Sequence, residues 1–195
     1  MSKLLLILVF ALVLICPPAS DACVGKVLRI GAVSSADGYL LSEILAILIN
    51  ERTGSTVNTK YYKNTTELYD AVKAQQVDIL VENTARAMHI LNRTASGANP
   101  NKTYETVKTA YESEKGLIWL KPFGLLSWNE GEGRSFATAV LKVEVLSNFP
   151  ALPRVIDKLA GMISDEIYAK LVKSMDSGEK PKTVARDFLK SKKLI

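Results

Sequence analysis

The chain has 195 residues, 48% of them hydrophobic, and a formal net charge of +5. That length suits one domain with enough apolar content to bury a real core. The basic residues are scattered, and the one cluster (Lys190, Lys192, Lys193) has no interleaved aromatics, so no nucleic-acid partner is expected. A lone histidine, His89, and two cysteines rule out a zinc pattern and an even disulfide framework in the mature chain. Nucleophile and Walker-type motifs are missing from the sequence, so no enzyme and no cofactor are expected.

The chain opens on Lys3, an unbroken apolar run over 4–15, Pro17-Pro18, and small residues Ser20 and Ala22 before Cys23. This is the layout of a secretory signal peptide over 1–22. The run falls short of the roughly 20 residues that span a bilayer. The mature chain, 23–195, is therefore expected outside the cytoplasm, periplasmic or extracellular. Cys16 leaves with the leader, so Cys23 is a free or intermolecular thiol. Lipid anchoring at Cys23 is disfavoured because Ser20 stands where a lipobox wants Leu or Val.

After the leader, short apolar strands alternate with amphipathic helices. Residues 27–31 read as a buried strand, and 39–52 as a largely buried helix closed by Gly54. A second strand covers 56–62, and Asn64 with Glu67 forms a capping box for the next helix. A third strand at 77–81 precedes a helix over 84–91. The polar stretch 92–102 reads as a loop, followed by a helix over 104–114 and a strand over 117–120. Residues 128–134, with the run Asn-Glu-Gly-Glu-Gly-Arg, read as a tight surface connection. Beyond it come a strand over 136–143 and helices over 152–160, 165–174 and 181–190. Pro181 suits a first helical turn. Repeated strand–helix–strand units predict an α/β fold, a mainly parallel sheet covered on both faces by helices.

In order and spacing, the residues resemble the substrate-binding proteins of glycine betaine, proline betaine and choline-type ABC importers. The first block runs from Leu28-Arg29-Ile30-Gly31 through Glu51-Arg52-Thr53-Gly54, Val77-Asp78-Ile79 and Glu82 to Gly116-Leu117-Ile118-Trp119-Leu120. The second runs from Phe149-Pro150-Ala151-Leu152 through Ile163-Ser164-Asp165-Glu166 to Val184-Ala185-Arg186-Asp187-Phe188-Leu189. The resemblance implies one lobe of a periplasmic type II binding-protein-like fold. Family members have two lobes closing on the ligand. Here the blocks 27–128 and 136–195 look like the first lobe rejoined through a short linker, with the second lobe missing. An ABC permease and its ATPase are the partners that the resemblance implies, and a quaternary amine osmoprotectant the ligand.

Such a cation has no hydrogen-bond donor and is held by several aromatic faces. In choline-type relatives several of those aromatics come from the missing lobe, so a degenerate site is expected. The family pattern Tyr-Pro/Val-Glu-Tyr-Thr-Gly is replaced by Leu80-Val81-Glu82-Asn83-Thr84-Ala85, which lacks both tyrosines, and a family Gln aligns with Gly38. Thr65 keeps the threonine of the family's Gly-Gly-Thr turn. The remaining ligand candidates are Tyr39, Thr65, Asn83, Thr84 and Trp128. Trp128 is a cation platform or a cap over exposed core, and Tyr39 lines a residual cleft or covers a helix end. Thr65, Asn83 and Thr84 stand at strand-to-helix turns, where open sheets bind ligands and where the same residues cap helices. Self-association would restore a second wall. An exported interaction or sensory module that keeps the lobe without the ligand is the alternative.

Overall fold

The computed structural model describes residues 27–93, 99–127 and 134–195. The leader, its cleavage point and Cys23, together with Trp128 and most of the expected linker, lie outside the described residues. Among the described residues, strand β1 (Leu28–Val33) leads into helix α1 (Ala36–Thr53), then β2 (Val57–Tyr62), α2 (Thr65–Lys73), β3 (Ile79–Asn83) and α3 (Thr84–Ile90). Helix α4 (Pro100–Lys115) precedes β4 (Leu117–Trp119), β5 (Gly124–Ser127) and β6 (Arg134–Lys142). The chain closes with α5 (Val143–Asn148), α6 (Leu152–Ile156), a 3₁₀ turn (Asp157–Leu159), α7 (Asp165–Asp176) and α8 (Pro181–Ser191).

The sheet runs β2-β1-β3-β6-β4, with β5 also paired to β6. Strand β1 is parallel to β2 and β3, while β6 is antiparallel to β3, β4 and β5. Five strands therefore point one way and β6 alone opposes them. A helical crossover returns the chain to the same end of the sheet for the parallel strands. The short hop from Ser127 to Arg134, which face each other in the ladder, makes a hairpin instead.

Helix α1 is buried nearly all round because it has cover on both sides. Leu40, Leu41, Ile44, Leu45, Leu48 and Ile49 are at most 1% exposed, with the sheet on one side and α6 and α8 on the other. Ser35 caps its start and Gly54, at φ 69°, takes the left-handed turn that ends it. The apolar layer on this face holds residues of both sequence blocks, from Leu28 and Leu48 to Phe188 and Leu189. The opposite face carries α2, α3 and α4 over Val33, Leu80, Trp119 and Val140. Trp119 is 2% exposed, a core residue as expected.

Several boundaries differ from the expectation. Helix α4 starts at Pro100, inside the expected loop, because Asn99 caps it and proline fits a first turn. Arg134, expected in the linker, is the first residue of β6. Strand β5 was not expected, since four residues (Gly-Leu-Leu-Ser) carry too little periodicity. The expected strand over 136–143 ends at Lys142, and Val143 opens α5. The helix expected over 152–160 tightens into a 3₁₀ turn after Ile156.

Candidate functional site

The C-terminal ends of β1, β2 and β3 form a rim on which three helices begin. Each start is closed by the residue before it. Gly38 N–H donates to Ser35 Oγ at 3.1 Å, Glu67 N–H to Asn64 Oδ1 at 2.9 Å, and Arg86 N–H to Asn83 Oδ1 at 2.7 Å. Glu67 Oε2 accepts from Lys63 N–H at 3.1 Å, one residue before the cap, so the expected box closes on the residue preceding Asn64 rather than on Asn64 itself.

The rim holds the sequence candidates in unlike environments. Tyr39 is half-buried; its hydroxyl shares a hydrogen bond with Ser34 Oγ, and its ring meets Tyr61 edge-on at 4.5 Å between centroids. Tyr61 in turn hydrogen-bonds Ser42 Oγ at 3.2 Å, and burial with nearby Glu43 raises its pKa above the ordinary tyrosine value. Thr65 is half-buried in the first turn of α2, whose cap is the neighbouring Asn64. Asn83 is fully buried; its Oδ1 caps α3, and its Nδ2 has no hydrogen-bond partner. Thr84, 1% exposed, uses its hydroxyl differently from a cap: Phe136 N–H donates to Thr84 Oγ1 at 3.1 Å. That bond ties the third strand's turn to β6. Trp128 lies outside the described residues.

Gly38 has no room for a side chain. A Cβ there would sit 1.9 Å from the Val33 carbonyl oxygen. The glutamine of the family pattern cannot be accommodated at this position without moving the backbone.

Behind the rim is a buried polar cluster that sequence reasoning did not assemble. Glu82, 0% exposed, accepts from Tyr69 Oη–H at 2.8 Å, from Asn83 N–H at 2.8 Å and from Arg86 Nε–H at 2.5 Å. The Tyr69 and Tyr111 hydroxyls share a bond of 2.6 Å, and Arg86 also donates to the Val81 carbonyl at 3.3 Å. Burial, reinforced by the Glu82 charge, holds both tyrosines well above their ordinary pKa, so they act as neutral donors. Glu82 lies in β3 while Arg86 lies in α3, so no helix-face spacing announced the pair. All the observed partners of Glu82 are internal, so the cluster anchors the β3–α3 turn.

A second polar group closes the base of the hairpin. Asp165, in the first turn of α7, accepts from Ser127 N–H at 2.8 Å and Ser127 Oγ–H at 2.9 Å, and Arg134 Nε lies at 3.5 Å. These bonds, the backbone one first, hold the Asp165 carboxyl below its ordinary pKa. A cavity of about 520 Å³ opens beside Ser127 and Asp165, along α7. Its lining includes none of Tyr39, Thr65, Asn83 and Thr84.

The closest chemistry the rim offers a ligand is polar and sparse. One aromatic pair (Tyr39–Tyr61) presents an edge contact, and three of the capping side chains are already engaged by backbone N–H groups. Among the described residues, no group of His, Cys, Asp and Glu is placed to hold a metal ion.

The fold is shared with solved binding proteins. The crystal structure of a glycine betaine/carnitine/choline ABC transporter superposes with a TM-score of 0.76 at 16% identity, covering 87% of this chain and 98% of that one. Apo YehZ from Escherichia coli gives 0.75 at 15% identity, covering 88% and 100%. Lactococcal OpuAC, closed on glycine betaine, gives 0.51 at 12% identity, covering 85% and 96%. No curated protein sequence matches the chain. The family model for the substrate-binding domain of ABC-type glycine betaine transport systems (OpuAC) matches residues 26–128, more than half of the sequence. The chain belongs to that family of solute-binding, non-enzymatic domains.

Proposed function

We propose that this chain is an exported solute-binding component of an ABC importer for glycine betaine- or choline-type quaternary amines, built as one lobe with a degenerate ligand site. Family membership supports the transport role and the permease and ATPase partners. No helix among the described residues is long and apolar enough to cross a membrane. The expected signal peptide over 1–22 supplies the route.

The observation that carries the degenerate site is the rim's occupancy. Asn83, at a position where the family pattern has tyrosine, is fully buried and caps α3, while Thr84 is bonded to β6. Tyr39 meets Tyr61 edge-on rather than presenting an open face. Each desolvated cation–π contact contributes about 2 kcal/mol, and a cage needs several of them. With Tyr39, Thr65 and Trp128 as the remaining ligand contacts, affinity for glycine betaine or choline is roughly millimolar or weaker. Calorimetric titration of the monomer with glycine betaine, choline and carnitine tests this. Micromolar binding would overturn it.

The alternative role, an exported interaction module that keeps the lobe without the solute, is favoured by the same occupancy. Titration with membranes containing the cognate permease separates the two: a solute receptor changes its permease affinity with ligand, and an interaction module does not.

A further inference from the structure

The sheet ends at β2. Its inner edge is paired with β1 at all six positions from Val57 to Tyr62, and its outer edge has no strand beside it among the described residues. An open edge of this length is a template for another strand. Proteins commonly guard such an edge with lysine, and β2 has one, Lys60. Its ammonium, however, is folded back over the Tyr62 ring, 5.2 Å from the centroid, which leaves the edge itself unguarded.

The other face of the strand borders a groove of about 460 Å³ between β2, α1 and α8. Val57, Thr59 and Tyr61 are half-buried along it among mostly polar neighbours, so the groove is a largely polar trough beside a hydrogen-bonding edge. Its two ends differ in charge. Near Tyr61 stands Glu43, half-buried and without an ion pair among the described residues. Near the start of β2 stands Arg186, 2.9 Å from Glu51 in the last turns of α1.

We propose that this edge docks a second copy of the chain, two β2 strands pairing antiparallel about a twofold axis through Thr59. The register follows from the sequence of the strand. Thr59 meets Thr59, Val57 meets Tyr61 on the groove side, and Asn58 meets Lys60 on the other. An isologous contact must be self-complementary, and this one is. Reversal of direction brings Glu43 of each groove toward Arg186 of the other, whose guanidinium, already paired with Glu51, would be shared between the two carboxylates. Repulsion between two copies of charge +5 is largely screened beyond about 8 Å at physiological salt. The contact lies on the sheet edge, not on the rim, so it stands whether or not a quaternary amine binds.

The test uses the full chain with Cys16 and Cys23 replaced by serine. Under mild oxidation, Thr59→Cys is expected to form a disulfide dimer, and a mixture of Val57→Cys and Tyr61→Cys to cross-link more than either alone. Directly opposed residues place Cβ atoms about 4.5–5.5 Å apart, which a small backbone adjustment brings to disulfide distance. Sedimentation equilibrium of the cysteine-free chain at physiological salt is expected to show a reversible dimer. Glu43→Lys, on the half-buried groove wall, raises its dissociation constant at least tenfold. A chain that stays monomeric at every concentration up to about millimolar overturns the proposal. So does a dimer that ignores Glu43→Lys and forms none of these cross-links, or an edge that captures unrelated extended peptides while the chain itself stays monomeric.

Discussion

Replacing Arg86 with methionine removes the countercharge of a carboxylate that has no access to water. Glu82 is 0% exposed and Arg86 6%. In the variant, Glu82 keeps the donors Tyr69 Oη–H and Asn83 N–H, both at 2.8 Å, but loses the guanidinium at 2.5 Å. Breaking a buried pair from one side costs about 3–5 kcal/mol, because the surviving charge stays buried without compensation. Set against a typical total of about 5–15 kcal/mol, that is a large share of the protein's stability. For a chain of this size it corresponds to a fall in Tm of roughly 6–20 °C. Urea unfolding followed by circular dichroism measures it. Glu82→Leu combined with Arg86→Met is expected to cost much less than the two changes added, since no charge is then left unpaired. A loss below about 1 kcal/mol for Arg86→Met, or strict additivity in the double variant, would refute the reasoning that this pair acts as a unit.

Four further outcomes are expected. Gly38→Ala, whose Cβ would lie 1.9 Å from the Val33 carbonyl oxygen, should cost about 1–3 kcal/mol by thermal melt, with the shift confined to the β1–α1 turn in amide exchange. Deleting Leu194 and Ile195 removes an 8%-exposed leucine from the core and the carbonyl that accepts from Arg52 Nε at 2.6 Å, and should cost about 2–3 kcal/mol in urea. Asp165→Asn should loosen the hairpin base by about 1 kcal/mol or less, because the carboxylate is solvent-screened. The Asp165 pKa is depressed in the folded chain, so its contribution is present above the unfolded value of about 3.9 and is lost as pH falls through the folded one. The stability gap between wild type and Asp165→Asn should therefore be constant near neutrality and close below about pH 4; a gap that widens in acid would contradict the assignment. Mass spectrometry of the exported protein should find an N-terminus near Cys23, and an intact Met1 in that pool would sink the leader reading.

Most of the fold was legible because its local signals agree with its global one. Asn64 with Glu67 and Gly54 after the apolar run each mark a helix end that the structure confirms. The run 40–49 showed a helix too apolar for one face, and it is covered on both sides. What escaped was set by distant partners. Strand β5 exists because β6 runs beside it in register from Gly124 to Ser127, and nothing within those four residues announces that pairing. The start of α4 was hidden by the Asn/Gly/Pro composition around it, although Asn99-Pro100 is itself a start signal.

The candidate site was less legible, and the reason is chemical. Capping a helix and binding a ligand's polar end use the same residue types at the same turns. Sequence alone therefore names Thr65, Asn83 and Thr84 without saying which duty each performs. The structure separates them by burial: Asn83 and Thr84 are at most 1% exposed and face partners inside the protein, while Thr65 stays half-open beside the true cap. Glu82 shows the same limit from the other side. Its place in a family-like motif invites a ligand role, yet its observed donors, Tyr69, Asn83 and Arg86, are all internal. A carboxylate with three such donors holds the β3–α3 turn in place for whatever the rim contacts, and leaves the contact itself to the side chains that remain open.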